Sequence, residues 1–347
     1  MPNTNNQRPG VYSNYTVSSS YATPRSSLHA AVVCEGSVEL SGTLYSLTSA
    51  AGAAELFGGA ENLCALTCCR ILLESGVSKI WVSVAANGDF ESALSLLEEL
   101  EGIGAVICDA ADISGLKHLR DSVHRSSSKL YERVAYCGIS ATGTALAMAA
   151  ELSDERVVIC CPTATASGNM PPLPVYGAAS LAGYLLARDD PAANLNGAEL
   201  KTLSAVSKLP ESDIQSLIAG GVTVLEEVGA HVECVRAVTT RAQSGGAPDN
   251  TLRPLNTILI IDDVMRTLRQ SLKARLGGLR RHSGTLDAIL SQVMVELAAK
   301  EDEGVIESFE APGVRADEND PSVCIVEISF TAAHLVDQIH ITAHVEV

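Results

Sequence analysis

The sequence predicts a mixed fold: a small doubly wound α/β domain, then an α+β domain, with an extended strand arm at each end. Three observations lead to this prediction. From His29 onward, short apolar segments alternate with amphipathic helical segments, which is the pattern of βαβ units. After Leu203 the pattern changes to a short helix, a hairpin and two long helices. The two end segments both show the two-residue period of strands.

The first domain is expected over residues 29–205. Its apolar segments are nearly continuous, so helices should cover both faces of the sheet. The predicted strands are Ala30–Cys34, Lys79–Val84, Ala105–Cys108, Arg133–Cys137 and Val157–Cys161. The predicted helices are Ala60–Glu74, Phe90–Leu100, Leu116–Ser126, Gly143–Leu152 and Ala178–Leu186.

The second domain is expected over residues 206–335 and combines helices with strands. Pro210 opens a short helix and Gly220-Gly221 ends it, and a hairpin should follow. The predicted helices are Glu211–Ile218, Leu255–Leu276 and Leu286–Lys300. The predicted strands are Val222–Leu225, His231–Val238, Val305–Phe309 and Val323–Thr331.

Both ends of the chain have the chemistry of strands. The N-terminal arm, residues 1–28, contains no Asp or Glu, and its β-branched and aromatic residues include Val11, Tyr12, Tyr15 and Val17. The C-terminal arm is expected over residues 336–347, and its last nine residues alternate strictly between apolar and polar side chains; the apolar positions are Ile339, Ile341, Ala343, Val345 and Val347. A half-buried strand at a chain end can pair with another subunit.

The amino-acid composition excludes several classes of function for this chain. The 24 Lys and Arg against 41 Asp and Glu give a net charge of −17, which argues against a nucleic-acid or anionic-membrane binder and favours protein partners. No apolar run reaches the roughly 20 residues of a membrane span, and the first ten residues lack the apolar core of a signal peptide. A cytosolic chain with reduced, mostly core cysteines is expected. Cys64, Cys68 and Cys69 have helical spacing but no second pair at zinc-ligand distance, so no metal site is predicted.

Motifs for catalysis or cofactor binding are weak. The turn Cys137–Gly143 follows a predicted strand and opens a helix, where backbone N–H groups could hold a phosphate, but it lacks a Walker lysine and a partner acid. Cys161 lies at the end of a predicted strand, where α/β folds place active sites. However, no motif identifies one of the histidines as the general base that a cysteine nucleophile needs. A small-molecule enzyme or binding protein that uses this turn and Cys161 remains the alternative reading. The main expectation is a non-enzyme without cofactor or metal.

One predicted helix carries an unusual charge run. From Val264 to Arg281 there are six basic residues and no acid, and Arg266, Arg269 and Lys273 lie on one face, apart from the apolar stripe. We expect this basic side to be free, either as a solvated face or as a docking surface for an acidic partner. The neighbouring Asp262-Asp263 pair is interpreted as complementing the helix dipole near the start of the helix.

The motifs together resemble a known family. Arg8-Pro9-Gly10-Val11-Tyr12, followed by a polar strand-like stretch, is similar to the N-terminal arm of contractile tail sheath proteins from phages and phage-tail-like bacteriocins. The segment 203–241 resembles the family's short helix, glycine turn and two strands ending in R-[AT]-x-T-T, and 255–278 resembles its long C-terminal helix. With a single α/β domain, the chain is similar to the compact sheaths of bacteriocin-like particles and some prophage tails.

The resemblance implies a homopolymer of stacked rings around an inner tube. The two arms would add strands to sheets of neighbouring subunits by β-augmentation, and a metastable extended lattice would contract and drive the tube through a target envelope. The basic helix would face the tube or an adjacent subunit. Further implied partners are baseplate and tail-terminator proteins, without direct nucleic-acid contact or membrane insertion. Assembly would occur in the bacterial cytoplasm, with an extracellular particle after lysis. A polymer with a single lattice, such as a storage or shell protein, is a third reading.

Overall fold

A computed structural model describes residues 28–168, 170–188, 190–276, 283–320 and 323–334. Its helices are α1 Ala50–Phe57, α2 Leu63–Ser75, α3 Phe90–Ser95, α4 Ile113–Ser128, α5 Thr142–Leu152, α6 Val175–Ala187, α7 Glu211–Ala219, α8 Leu255–Leu276 and α9 Ser283–Asp302. Its strands are β1 His29–Glu35, β2 Leu44–Leu47, β3 Ile80–Ala85, β4 Ile103–Cys108, β5 Val134–Gly138, β6 Val157–Cys161, β7 Ala164–Ala166, β8 Ala198–Glu199, β9 Leu203–Val206, β10 Thr223–Val228, β11 His231–Arg236, β12 Gln243–Ser244, β13 Ala247–Pro248, β14 Ile306–Phe309, β15 Gly313–Ala316, β16 Cys324–Glu327 and β17 Phe330–Ala332.

A nine-stranded sheet forms the centre of the fold, in the order β2-β3-β1-β4-β5-β6-β10-β11-β8. The five predicted strands are present as its parallel middle, β3-β1-β4-β5-β6. Their side chains are almost completely buried because one hydrophobic core lies on each face of the sheet. Helices α2 and α6 cover one face, and α3, α4 and α5 cover the other. The predicted doubly wound pattern is therefore confirmed for this part of the chain.

The sheet continues beyond the boundary expected at residue 205. Strand β10 pairs in parallel with β6, with Thr223 opposite Cys160 and Val224 opposite Cys161, and β11 follows antiparallel to β10. The predicted hairpin is thus present, and its strands are part of the large sheet. Val224 and Leu225 are buried in the cores of the large sheet, which explains why the hairpin joins that sheet.

A separate third core is formed mainly by α8, α9 and the strands β14, β15, β16 and β17. Helices α8 and α9 pack against the two-stranded sheets β14-β17 and β15-β16. Helix α8 belongs to two cores at once, since Leu255 and Ile258 lie in a core of the large sheet whereas Ile260, Val264 and Leu268 lie in the third core. This one helix therefore connects the two parts of the fold.

Several elements differ from the sequence expectation. Strand β2 and helix α1 were not predicted, and β2 runs antiparallel to β3 at the edge of the sheet. Helix α3 ends at Ser95, five residues earlier than expected, and the carbonyl groups of Leu97 and Leu100 accept hydrogen bonds from the buried Arg133. No helix among the described ranges combines the length and apolar character needed to cross a membrane.

Candidate functional site

The basic face of α8 lines a groove of about 530 Å³ beside the edge of the sheet where β4 and β5 begin. Arg266, Arg269 and Lys273 form its helical wall, and residues 101–103 and 129–132 form the opposite wall. Leu28 also lines it. The groove therefore lies next to the last residue of the N-terminal arm. The arm residues Arg8, Pro9, Gly10, Val11, Tyr12, Tyr15 and Val17 lie outside the described residues, as do Ile339, Ile341, Ala343, Val345 and Val347 of the C-terminal arm.

The three basic residues are not equally available, which corrects the expectation of a free basic side. Arg269 forms an ion pair with Glu132 and also donates to the Leu130 carbonyl group. The Glu132 side chain is only 10% exposed, so it needs a cationic partner within the chain. Lys273 is exposed and Arg266 is half-buried. A partner in the groove would consequently meet Lys273 and Arg266 first.

The two aspartates of α8 act as ion-pair partners within the fold. Asp262 lies seven residues after the helix begins at Leu255, beyond the first turn where the helix dipole acts, so the dipole interpretation is wrong for it. Arg156 donates two hydrogen bonds to its carboxylate, at 2.7 and 2.8 Å. Burial raises the pKa of Asp262 and Arg156 counteracts this shift. Asp263 pairs with Lys300 of α9 at 2.6 Å.

Asp262 is one of several distant groups tied to a short segment, Asp154-Glu155-Arg156, just before β6. The Asp154 amide donates to Thr240 Oγ1, whose hydroxyl donates back to the Asp154 carbonyl group, both at 3.0 Å. Glu155 accepts from Arg241 at 3.0 Å. We call this segment with its partners the junction. It joins the large sheet to the chain after the hairpin and to α8.

The junction gives a structural reason for the threonine pair that ends the sheath-like segment 203–241. Thr239 Oγ1 donates to the Leu252 carbonyl group at 2.8 Å, and both threonines are buried. Gly221, in the turn before β10, has φ +82°, and a Cβ atom there would lie 2.9 Å from the Thr239 carbonyl oxygen. The close approach therefore requires glycine at this position. Sequence reasoning identified this motif but not its partners.

The alternative site at the Cys137–Gly143 turn is sterically closed on one side. A Cβ atom at Gly138 would lie 2.1 Å from the Pro174 backbone, so the chain that enters α6 packs directly on this turn. Cys161 Sγ lies 3.9 Å from the Ser140 carbonyl oxygen, and burial raises the pKa of its thiol to about 11. The thiol is thus protonated at neutral pH, the less reactive form for a nucleophile.

Three cysteines from β1 and α2 lie close together in the structure. Cys34 near the end of β1 meets Cys64 and Cys68 of α2, and their three Sγ atoms lie within 4.8 Å of one another. We call these residues the cysteine cluster. Hydrogen bonding with Cys64 raises the pKa of Cys34, whereas hydrogen bonds from Cys34 and Cys64 lower that of Cys68 to about 6. Cys69, predicted beside Cys64 and Cys68, does not belong to the cluster, and burial raises its pKa to about 12.

Comparison with known proteins finds solved structures that share the whole fold. No family model matches the chain, and no curated protein does. Among solved structures, a chain of the PVC extracellular contractile injection system sheath in its contracted state matches with a TM-score of 0.73 and 13% identity, over 99% of this chain and 98% of that chain. The contracted helical sheath of the anti-feeding prophage matches with a TM-score of 0.71 and 14% identity, over 97% and 99%. The sheath tail protein of Desulfitobacterium hafniense gives 0.67 and 9%, over 93% and 100%. The chain therefore has the fold of contractile tail sheath proteins.

Proposed function

We propose that this protein is the sheath subunit of a contractile injection machine. The observation that carries the proposal is the end-to-end fold match with two sheaths in the contracted state, which leaves almost no part of either chain unmatched. The subunits form stacked rings around an inner tube, and the sheath contracts from a metastable extended state. Baseplate proteins lie at one end of the sheath and tail-terminator proteins at the other. The sheath is assembled in the cytoplasm of the producing bacterium and becomes part of an extracellular particle after lysis, without nucleic-acid contact or membrane insertion by this chain.

The joint between subunits is proposed to be strand exchange by the two arms. Main-chain hydrogen bonds supply affinity in β-augmentation, and alternate side chains set the register. The N-terminal arm, with Arg8, Pro9, Gly10, Val11, Tyr12, Tyr15 and Val17, pairs with the C-terminal arm of a neighbour through Ile339, Ile341, Ala343, Val345 and Val347. Deletion of residues 1–20 should therefore yield soluble monomer in analytical ultracentrifugation. Long sheaths from the shortened chain would contradict this pairing.

The exposed end of the basic face is proposed to contact the tube or an acidic neighbouring subunit. Since Arg269 is already paired with Glu132, its reversal would also damage the fold. Lys273→Glu, alone and with Arg266→Glu, is the sharper test, with Lys208→Glu as a control at another exposed lysine. We expect the α8 variants to lose co-assembly with the tube protein and the control to retain it. Equal co-assembly of all variants would contradict this contact.

Negative-stain electron microscopy of the purified chain, alone and with the tube protein encoded beside it, tests the proposal as a whole. Wide tubes formed by the chain alone and narrower tubes around the inner tube would support a sheath with two states. A single lattice under both conditions would instead favour a storage or shell polymer. Small globular oligomers under both conditions, with a melting temperature that rises with a small-molecule ligand, would favour the enzyme or binding-protein alternative.

A further inference from the structure

The cysteine cluster joins two elements that are distant in the sequence. Cys34 and Cys68 are fully buried and Cys64 is half-buried. Cys64 and Cys68 are four residues apart on α2, so they share the helical face that packs on β1. The Asn62 side chain accepts a hydrogen bond from the Ser37 amide at 3.0 Å and fixes the start of α2 against the end of β1. The three sulfur atoms are thus held on ordered elements.

The spacing of the sulfur atoms matches that of metal-bound thiolates. Zinc–sulfur bonds are about 2.3 Å long, so two sulfurs at corners of a tetrahedral site lie about 3.8 Å apart. Cys34 Sγ and Cys64 Sγ are 3.5 Å apart, and all three Sγ atoms lie within 4.8 Å of one another. To bind a zinc ion, the three sulfur atoms would therefore have to move by much less than the length of a side chain. Among the described residues, these three cysteines are the group of His, Cys, Asp or Glu side chains whose ligand atoms lie close enough together to hold one metal ion.

A carboxylate lies beside the cluster. Asp109, the residue directly after β4, accepts hydrogen bonds from the Glu35 amide at 3.0 Å and interacts with the Cys64 thiol. Burial and this thiol raise the pKa of Asp109. The partly exposed Cys64 marks the side from which an ion can enter. Once a bound ion displaces their protons, the thiols and this carboxyl group form a ligand set that suits zinc, which takes sulfur and oxygen ligands in four-coordinate sites.

We propose that Cys34, Cys64 and Cys68 bind one Zn²⁺ ion through their sulfur atoms, with the fourth position on the side of Asp109. Each thiol that becomes a ligand forms a metal–sulfur bond and releases its proton to water. The ion connects the end of β1 to the first two turns of α2. This proposal is independent of the sheath proposal because it concerns the inside of one subunit.

Cobalt binding to the full-length chain tests the site. The chain is reduced, freed of metal with a chelator and titrated anaerobically with Co²⁺, which gives a thiolate-to-cobalt charge-transfer band and strong visible bands in tetrahedral sites. We expect these bands to saturate at one equivalent and to disappear when Zn²⁺ is added. We also expect Zn²⁺ to raise the melting temperature. The absence of both signals at millimolar metal would overturn the proposal.

Matched variants locate the ion. Cys64→Ser and Cys68→Ser should weaken Co²⁺ binding by more than the roughly 10- to 100-fold that loss of an outer partner causes. Cys69→Ser, next to Cys68 but outside the cluster, and Cys324→Ser, in the third core, should bind Co²⁺ like the unaltered chain. Circular dichroism of each variant without metal shows whether it is folded. If the unaltered chain and the Cys64→Ser variant bind Co²⁺ equally, the cluster is not the site.

Discussion

The ion pair between Arg156 and Asp262 offers the sharpest test of how the two parts of the fold are held together. Arg156→Met removes the charge and both hydrogen bonds while it keeps much of the side-chain volume. The two side chains are 12% and 6% exposed, so water does not replace the lost partner. Hydrogen bonds to charged groups contribute about 1.5–3 kcal/mol each, and removal of one member of a buried pair costs about 3–5 kcal/mol. We expect a loss of about 3–5 kcal/mol in the free energy of unfolding at neutral pH.

This loss should shrink in acid. Burial already raises the pKa of Asp262 in the presence of Arg156, and removal of the arginine raises it further. A carboxyl group whose pKa is higher in the folded than in the unfolded state favours folding below its unfolded pKa of about 3.9, and this contribution is lost as the pH rises through the folded pKa. The variant should therefore approach the stability of the unaltered chain as the pH falls from neutral toward that range.

Urea unfolding followed by the fluorescence of Trp81, the single tryptophan, measures the loss in the large sheet. Arg315→Met is the matched control, because its pair with Glu327 is exposed and should contribute less than about 1 kcal/mol. The double variant Arg156→Met/Asp262→Leu should regain most of the lost stability, since no buried charge remains. Equal small losses for Arg156→Met and Arg315→Met, or no recovery in the double variant, would refute the reasoning.

Three further changes test the junction and the closed turn. Thr240→Val leaves the Asp154 amide and carbonyl groups without their partner and should lower the free energy of unfolding by about 2–3 kcal/mol, whereas Thr240→Ser should retain most of it. The hydrogen bond to Asp154 raises the pKa of His124, so the pair stabilises the fold below about pH 6.5 and loses this effect as the pH rises through the folded pKa. The stability difference between the unaltered chain and His124→Gln should be larger at pH 5.5 than at pH 9, though below about 1 kcal/mol because the ring is 42% exposed. Gly138→Ala should lower the melting temperature because the new Cβ meets the Pro174 backbone, whereas Gly143→Ala, which meets no atom within 4 Å, should not.

Hydrophobic periodicity predicted the parts of the fold that are buried on a repeating face. Strand Val157–Cys161 and helix Leu255–Leu276 have the bounds that the sequence predicts, because each is a long or continuous apolar pattern between clear breaks. Strand β2 has only one fully buried residue, Leu47, and pairs at the edge of the sheet, so it has no apolar pattern to detect. The hairpin was detected, but its pairing with β6 depends on contacts more than 60 residues away in the sequence.

The candidate sites depend even more strongly on contacts between residues that are distant in the sequence. Helical spacing placed Arg269 on the basic face, but its partner Glu132 is 137 residues away in the sequence. In the cysteine cluster, Cys64 and Cys68 were grouped with Cys69 because they are close in sequence, whereas the third member, Cys34, comes from β1. Residues that pair across distant segments leave no periodic signal, so the junction and the cluster could not be predicted. The arm assignments stay predictions, since the arms lie outside the described residues.

The position of α8 connects this fold to the proposed contraction. The proposed contraction between two packed lattices is a rigid-body transition, in which each subunit body keeps its internal packing. Helix α8 shares its apolar residues between two cores, and Arg156 and Glu132 hold its polar side to the large sheet. Bending between the two parts would have to break a buried ion pair and separate packed side chains together. In the proposed contraction the described body of the subunit should therefore move without deforming, and the loss of the Arg156 pair should impair contraction before it prevents assembly.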